Sequence, residues 1–202
     1  MTDATYLIPA DITHYNQEIK RSKFLTWITP IDSPESAKQW IQSKREEFPD
    51  ARHVCWAYIA GPPNTPLKSM SDDGEPNGTA GKPMLNVLEH SGVGDIATVV
   101  VRYFGGTKLG TGGLVRAYSS SVSEAMKQAT FVDKVAMSIL NLEFPYAEEA
   151  QVRYLLEDED GKVSNVKYTD VVLFQCCLPI TKMEQFKKRL STTIIVKADD
   201  IR

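Results

Sequence analysis

The stretch Val99 to Tyr118, VVVRYFGGTKLGTGGLVRAY, leaves a backbone fewer choices than any other part of the chain. Three β-branched residues lead through Arg102 and two aromatics into a segment with five glycines, and an apolar stripe at helical spacing follows. The segment reads as buried strand, glycine loop and helix. On that helix Leu114, Ala117, Tyr118, Ser121, Val122, Ala125, Met126 and Ala129 share one face, with Thr111 expected as the N-cap. No acidic residue precedes Glu124, while Lys108 and Arg116 flank a helix start that already carries partial positive charge. The backbone N–H groups of Gly112 and Gly113, with Lys82, Arg102, Lys108 and Arg116, therefore form a candidate site for a phosphate or a nucleic-acid backbone. The alternative is purely structural: glycines that let backbone pack closely and cations that are merely solvated.

With 42% hydrophobic residues among 202, the chain can fill one large core or two small ones. No apolar run reaches the length of a membrane span, and the first residues lack a basic start followed by an apolar core, so the expectation is a cytoplasmic protein without a membrane segment. Cys55, Cys176 and Cys177 lack CxxC spacing and point to reduced, mostly buried thiols, with no disulfide framework or zinc site. The formal net charge of −3 excludes a uniformly basic coat but leaves room for a local basic patch.

Ile19 to Ile31 alternates as a strand with Phe24, Trp27 and Ile31 directed to the core. Ser33 caps a helix that has Pro34 at its first position, Ala37, Trp40, Ile41, Lys44 and Phe48 at helical spacing, and Pro49 beyond its end. His53 to Gly61 is a strand, Pro83 to Ser91 a short buried helix closed by Gly92, and Ile96 to Val101 the strand of the central segment. A lone His53 reads either as a base or ligand or as a packed imidazole. After about residue 134 the pattern changes. Met137 to Phe144 is a strand, Ala147 to Leu156 a helix offering Ala150, Val152, Tyr154 and Leu155 for burial, and two strands follow near residues 163–168 and 171–178. A helix after Pro179 and a last strand over residues 193–197 complete a βαββαβ order, so the fold class is α+β, with domains 1–134 and 135–202.

Ser69 to Pro83, SMSDDGEPNGTAGKP, reads as a long loop that is neither sheet nor helix. Gly81 and Lys82 fail the phosphate-loop pattern because Pro76 and Pro83 stand where glycine and a hydroxyl residue are required. Asp72, Asp73 and Glu75 would serve in an alternative reading as acid, base or Mg²⁺ ligands, although acids in a glycine turn commonly shape the turn itself. Gly92 to Ala97 matches a dinucleotide fingerprint in letters only, since it follows a helix and precedes a strand.

The segments RSKF (Arg21 to Phe24), ARHVCWAYIAG (Ala51 to Gly61), SDDGEPNGTAGKP (Ser71 to Pro83) and the central stretch closely resemble the IMPACT family in its bacterial form. The resemblance spans nearly the whole chain, leaving only about the first dozen residues without evident constraint. It implies a first domain sharing a fold with the second domain of a small-subunit ribosomal protein, and a ferredoxin-like second domain resembling the last domain of elongation factor G. Eukaryotic relatives regulate translation during amino-acid starvation by competing for the activator of an initiation-factor kinase, a pathway bacteria lack. The family brings no catalytic residues and no cofactor to this chain. The leading expectation is thus a non-enzymatic, translation-linked protein that contacts RNA or a ribosome-associated protein. A small-molecule hydrolase or phosphotransferase using the same loops, and an adaptor that binds only protein, remain the alternatives.

Overall fold

The structure is a computed structural model that describes the backbone of residues 5–201 and the side chains of residues 5–197. Two compact units divide the chain, one running from Tyr6 to Lys134 and the other from Val135 onward.

In the first, strands β2 (Thr13–Ile19), β3 (Ser22–Pro30), β4 (His53–Ile59), β5 (Lys68–Ser71) and β6 (Ile96–Tyr103) form an antiparallel sheet in the order β2-β3-β6-β4-β5. Helices α2 (Gly81–Ser91) and α3 (Thr111–Gln128) cover one face, packing on Phe24, Ile28, Cys55, Ile59 and Val100. Helix α1 (Pro34–Glu47) covers the other, with Ala37 and Ile41 against Trp27, Val54, Tyr58, Val99 and Val101. A central strand covered on both faces buries successive side chains, which is why β6 is buried from Ile96 to Arg102 and carries the run Val99, Val100 and Val101. Arg102 lies two residues beyond Val100 and so shares the face of α2 and α3. Its cross-strand neighbours are Phe24 on β3 and His53 on β4.

The local grammar of α1 is the one its sequence shows. Ser33 accepts a hydrogen bond from the Ser36 N–H, Ser36 returns the bond to the Ser33 N–H, and Pro34 occupies the first turn. Lys44, the polar residue on the apolar stripe, places its ammonium 4.6 Å from the centre of the Trp27 ring, a cation–π contact. Gly92 ends α2 in the left-handed conformation.

Four expectations change in the first domain. The segment from Ile19 to Ile31 is not one strand, since β2 ends at Ile19 and β3 begins at Ser22. The early chain is constrained: Thr5–Pro9 forms strand β1, which pairs with β7 (Phe131–Val135), and the buried Tyr6 donates a 2.6 Å hydrogen bond to Asp95. A five-residue strand is too short for its alternation to show against irregular sequence. The segment from Ser69 to Pro83 is not all loop, since β5 ends at Ser71 and α2 begins at Gly81. Thr111 is not the cap of α3; Gly110, with φ of 74°, takes that place, and no side chain caps the helix.

The second unit contains β8 (Met137–Phe144), α4 (Glu149–Asp158), β9 (Lys162–Tyr168), β10 (Val172–Pro179), α5 (Met183–Arg189) and β11 (Ile195–Ile201). Its antiparallel sheet has the order β11-β8-β10-β9, so the βαββαβ chain places its first and third strands at the centre, the ferredoxin-like arrangement. The core joins Leu140, Leu142, Phe144, Phe174 and Leu178 of the sheet to Val152, Leu155 and Leu156 of α4 and Phe186 of α5. Ala150 and Tyr154 are exposed, contrary to expectation, because the stripe of α4 is centred one residue further on.

Candidate functional site

The two glycine-rich loops of the first domain meet. Glu75 and Pro76 from the loop after β5 share a cleft of about 420 Å³ with Lys108, Leu109, Gly110 and Thr111 from the loop after β6. Arg52 and His53 at the start of β4, and Arg102 and Phe104 at the end of β6, complete its lining. This end of the sheet is brought to the second loop by close backbone packing at Gly105, where a Cβ would stand 2.0 Å from the carbonyl carbon of Arg21. Only glycine fits there. The same contact holds the β2–β3 hairpin turn, with Lys20 and Arg21 both at positive φ, against the loop.

The floor of the cleft is a buried polar network. Arg102 is 6% exposed, and its guanidinium donates to Glu75 at 2.6 Å. Glu75 also accepts from the Tyr118 hydroxyl at 2.8 Å, and the Cys55 sulfur lies 2.9 Å from the Asp72 carbonyl oxygen and 3.4 Å from the Tyr118 oxygen. Burial, reinforced by the neighbouring Cys55 and Glu75, pushes the Tyr118 hydroxyl well above its ordinary pKa. Burial likewise drives the Cys55 thiol far up, so it stays protonated at neutral pH and is not a reactive thiolate. The guanidinium of Arg102 sits 5.6 Å from the Phe24 ring centre and 5.7 Å from that of Phe104. Its Nε–H is buried and has no hydrogen-bond acceptor among the described residues.

The acidic trio of the first loop does not converge. Asp72 accepts backbone N–H groups from Gly78, Ala80 and Gly81 at 2.8 to 2.9 Å. Its burial opposes ionisation, but those three donors hold its carboxyl below the ordinary range. Asp73 accepts from the Val54 N–H and pairs with Arg45, each at 2.7 Å. Glu75 is committed to Arg102 and Tyr118. Each carboxylate therefore has its own structural partner, and among the described residues no group of His, Cys, Asp and Glu is arranged to hold a metal ion. His53 is fixed by the same loop: its Nδ1 lies 3.1 Å from the Asp73 carbonyl, which can only accept, so Nδ1 donates there, and the residue lines the cleft.

The cations singled out from sequence are spread over three adjoining hollows. Lys108 lines the cleft above Arg102. Arg116 and Gly113 line a second hollow, of about 800 Å³, together with Lys20, and Leu109 is a wall common to both. Lys82 and Lys127 lie in a third, of about 670 Å³, that shares Val87, Val115, Ser119 and Ser123 with the second. Gly112 faces open space. Lys108, Arg116, Lys20 and Arg52 have no salt-bridge partner among the described residues. Among the described residues Glu75, matched by Arg102, is the one carboxylate that lines any of the three, while Lys82 and Lys127 are paired at 3.8 and 2.6 Å with Glu89 and Glu124. Sequence reasoning did not find Lys20, Arg52 or Phe104. The hairpin turn and the ARHVCWAYIAG motif carried the first two in plain view, but nothing local aimed them at the central segment.

A family model described as the Impact N-terminal domain matches residues 20–126, and one described as a domain of unknown function, DUF1949, matches residues 142–193. The chain is 45% identical over 188 residues to the IMPACT family member YigZ of Escherichia coli, covering 93% of this chain and 92% of that one. It is 33% identical over 181 residues to the IMPACT family member YvyE of Bacillus subtilis, covering 90% and 83%. A crystal structure described as that of a hypothetical protein aligns with a TM-score of 0.81 at 42% identity, over 98% of both chains.

Proposed function

The chain belongs to the IMPACT family, and from that premise we propose that it is a translation-linked binding protein of the cytoplasm whose first domain grips the phosphate backbone of RNA. The observation that carries this reading is the run of three adjoining hollows. Arg52 and Lys108, then Lys20 and Arg116, line its first two hollows without salt-bridge partners among the described residues, and Lys82 and Lys127 line the third while pairing with Glu89 and Glu124. On a chain of net charge −3, such a strip concentrates positive potential on one face. The uncapped start of α3 opens onto the same strip and adds backbone donors with a favourable dipole. Catalysis by the loop acids is the weaker reading, because Asp72 and Asp73 are held by backbone N–H groups and Glu75, the one of the three that lines the cleft, is paired with Arg102 and Tyr118. Among the described residues no helix is long and apolar enough to cross a membrane.

Binding of a labelled single-stranded RNA at a series of salt concentrations tests the proposal. Each phosphate contact contributes roughly 0.7 to the slope of log affinity against log salt for a single strand. Lys108→Glu and Arg116→Glu should each weaken binding across all sequences and make that slope shallower by about 0.7. Retention of wild-type affinity and slope by both variants would assign the strip to ordinary solvated surface.

A further inference from the structure

The cleft at the head of this strip differs from the rest of it in one respect: it contains an exposed aromatic ring. Phe104 is 55% exposed although its neighbours on β6 are buried, and Arg102 packs against it from within, 5.7 Å from the ring centre. Pro76, Leu109 and Leu114 supply an apolar wall across the cleft, while Arg52 and Lys108 stand among the lining as cations. A purely electrostatic phosphate track has no use for an apolar wall and a projecting ring. The volume of about 420 Å³ lies within the range of about 300 to 1,000 Å³ typical of small-ligand sites. The buried Arg102 Nε–H lacks an acceptor among the described residues, and His53 lines the same cleft.

We infer that this cleft receives one unstacked nucleoside monophosphate unit, its base lying on Phe104 and its phosphate held by Lys108, Arg52 and the first amides of α3. Every base has a flat π face, so a Phe ring whose other side is backed by a guanidinium is a sequence-tolerant platform. The base then covers the apolar wall and the Phe104 ring. His53, held at Nδ1 by the Asp73 carbonyl, lines the cleft and offers its other ring nitrogen as a polar contact for a ribose hydroxyl or a base edge. A base still paired in a duplex cannot enter. The site therefore selects single-stranded ends and loops over helices, or a free nucleotide. This inference rests on the phosphate-binding reading above and adds to it the demand for an unstacked base.

The test compares fluorescence anisotropy of a labelled mixed-sequence single-stranded RNA with that of a duplex of equal length, and adds titration with adenosine 5′-monophosphate. Wild-type protein should prefer the single strand. Phe104→Ala should weaken single-strand binding about tenfold and leave duplex binding unchanged, while Phe104→Trp restores or strengthens it. Adenosine 5′-monophosphate bound as tightly as the RNA, and lost in Phe104→Ala, would identify a free nucleotide as the source of the ligand; much weaker binding would identify a strand. Equal affinity of Phe104→Ala and wild type for the single strand, with Lys108→Glu still weakened, would overturn the nucleotide site and leave the phosphate strip standing. No RNA binding by the wild type at low salt would overturn both. Thermal melts control for folding, and the exposed position of Phe104 keeps each variant close to the wild-type melting temperature.

Discussion

Arg102 and Arg116 belong to the same strand, loop and helix segment and carry the same charge, yet they stand at opposite ends of what a positive charge can do. Arg102 is buried, paired to Glu75 and lodged between Phe24 and Phe104. Arg116 is exposed, unpaired among the described residues, and lines an open hollow. The difference teaches that a cation near a glycine loop declares its role only through the carboxylate that reaches it. A buried guanidinium with a carboxylate partner is part of the architecture, because removing either member strands a charge in a poorly solvating medium. A rim cation without such a partner costs the fold almost nothing and is available to a ligand.

The comparison breaks most sharply at Glu75. Glu75→Ala leaves Arg102 buried without its counter-charge and Tyr118 without its acceptor, and should destabilise the first domain by about 3 to 5 kcal/mol. Loss of the folded baseline, or a fall in melting temperature far beyond that of any rim variant, is the expected result in a thermal or urea melt. A change below about 1 kcal/mol would mean that Arg102 finds water or another partner, and would dissolve the distinction between floor and rim.

Asp72 comes next. Asp72→Ala removes the common acceptor of three backbone N–H groups and should cost about 2 kcal/mol. Its folded pKa is depressed, so its contribution is fully present above the ordinary carboxylate pKa of about 4 and is lost as pH falls through the lower folded value. Urea midpoints of the wild type should therefore decline below about pH 4, with Asp72→Ala starting lower and declining less steeply. Parallel curves would remove Asp72 from the acid response.

Tyr118→Phe keeps the ring packed on Phe24, 5.4 Å between centres, and deletes only the hydroxyl that joins Cys55 to Glu75. A loss of about 1 kcal/mol is expected by calorimetry or urea melts. The smallest effects belong to the rim. Lys108→Glu and Arg116→Glu should change stability by no more than about 0.5 kcal/mol, with any change toward greater stability, since an acidic residue suits the start of α3 better than a basic one. Marked destabilisation by Arg116→Glu would place it in the architecture with Arg102 and take it out of the proposed RNA contact.

Much of the fold could be read locally. The capped start of α1, the left-handed glycine after α2, the apolar run of β6 and the βαββαβ order of the second domain all rest on interactions between residues a few positions apart, so their signals survive in a linear text. β1 and β5 were missed because strands of five and four residues are held by partners distant in sequence rather than by their own pattern. The cap of α3 was misassigned to Thr111 because a hydroxyl residue at the boundary looks like a cap. The observed boundary falls one residue earlier, at a glycine whose φ of 74° few other residues adopt.

The candidate site was legible as a pair of loops and as a list of cations, but not as an arrangement. The sequence by itself determined that two glycine-rich loops flank the strongest strand and helix of the chain, and that acids and bases are concentrated there. Only the tertiary structure decided that Glu75 cancels Arg102 across a separation of 27 residues, and that Asp72 and Asp73 are spent on backbone N–H groups. It also decided that Lys20 and Arg52 join Lys108 and Arg116 along one strip with Phe104 at its head. The physical reason is the range over which each kind of information acts. Periodicity and capping depend on neighbours along the chain, whereas a Coulomb interaction depends on distance and on local solvation, both of which are set when remote segments pack.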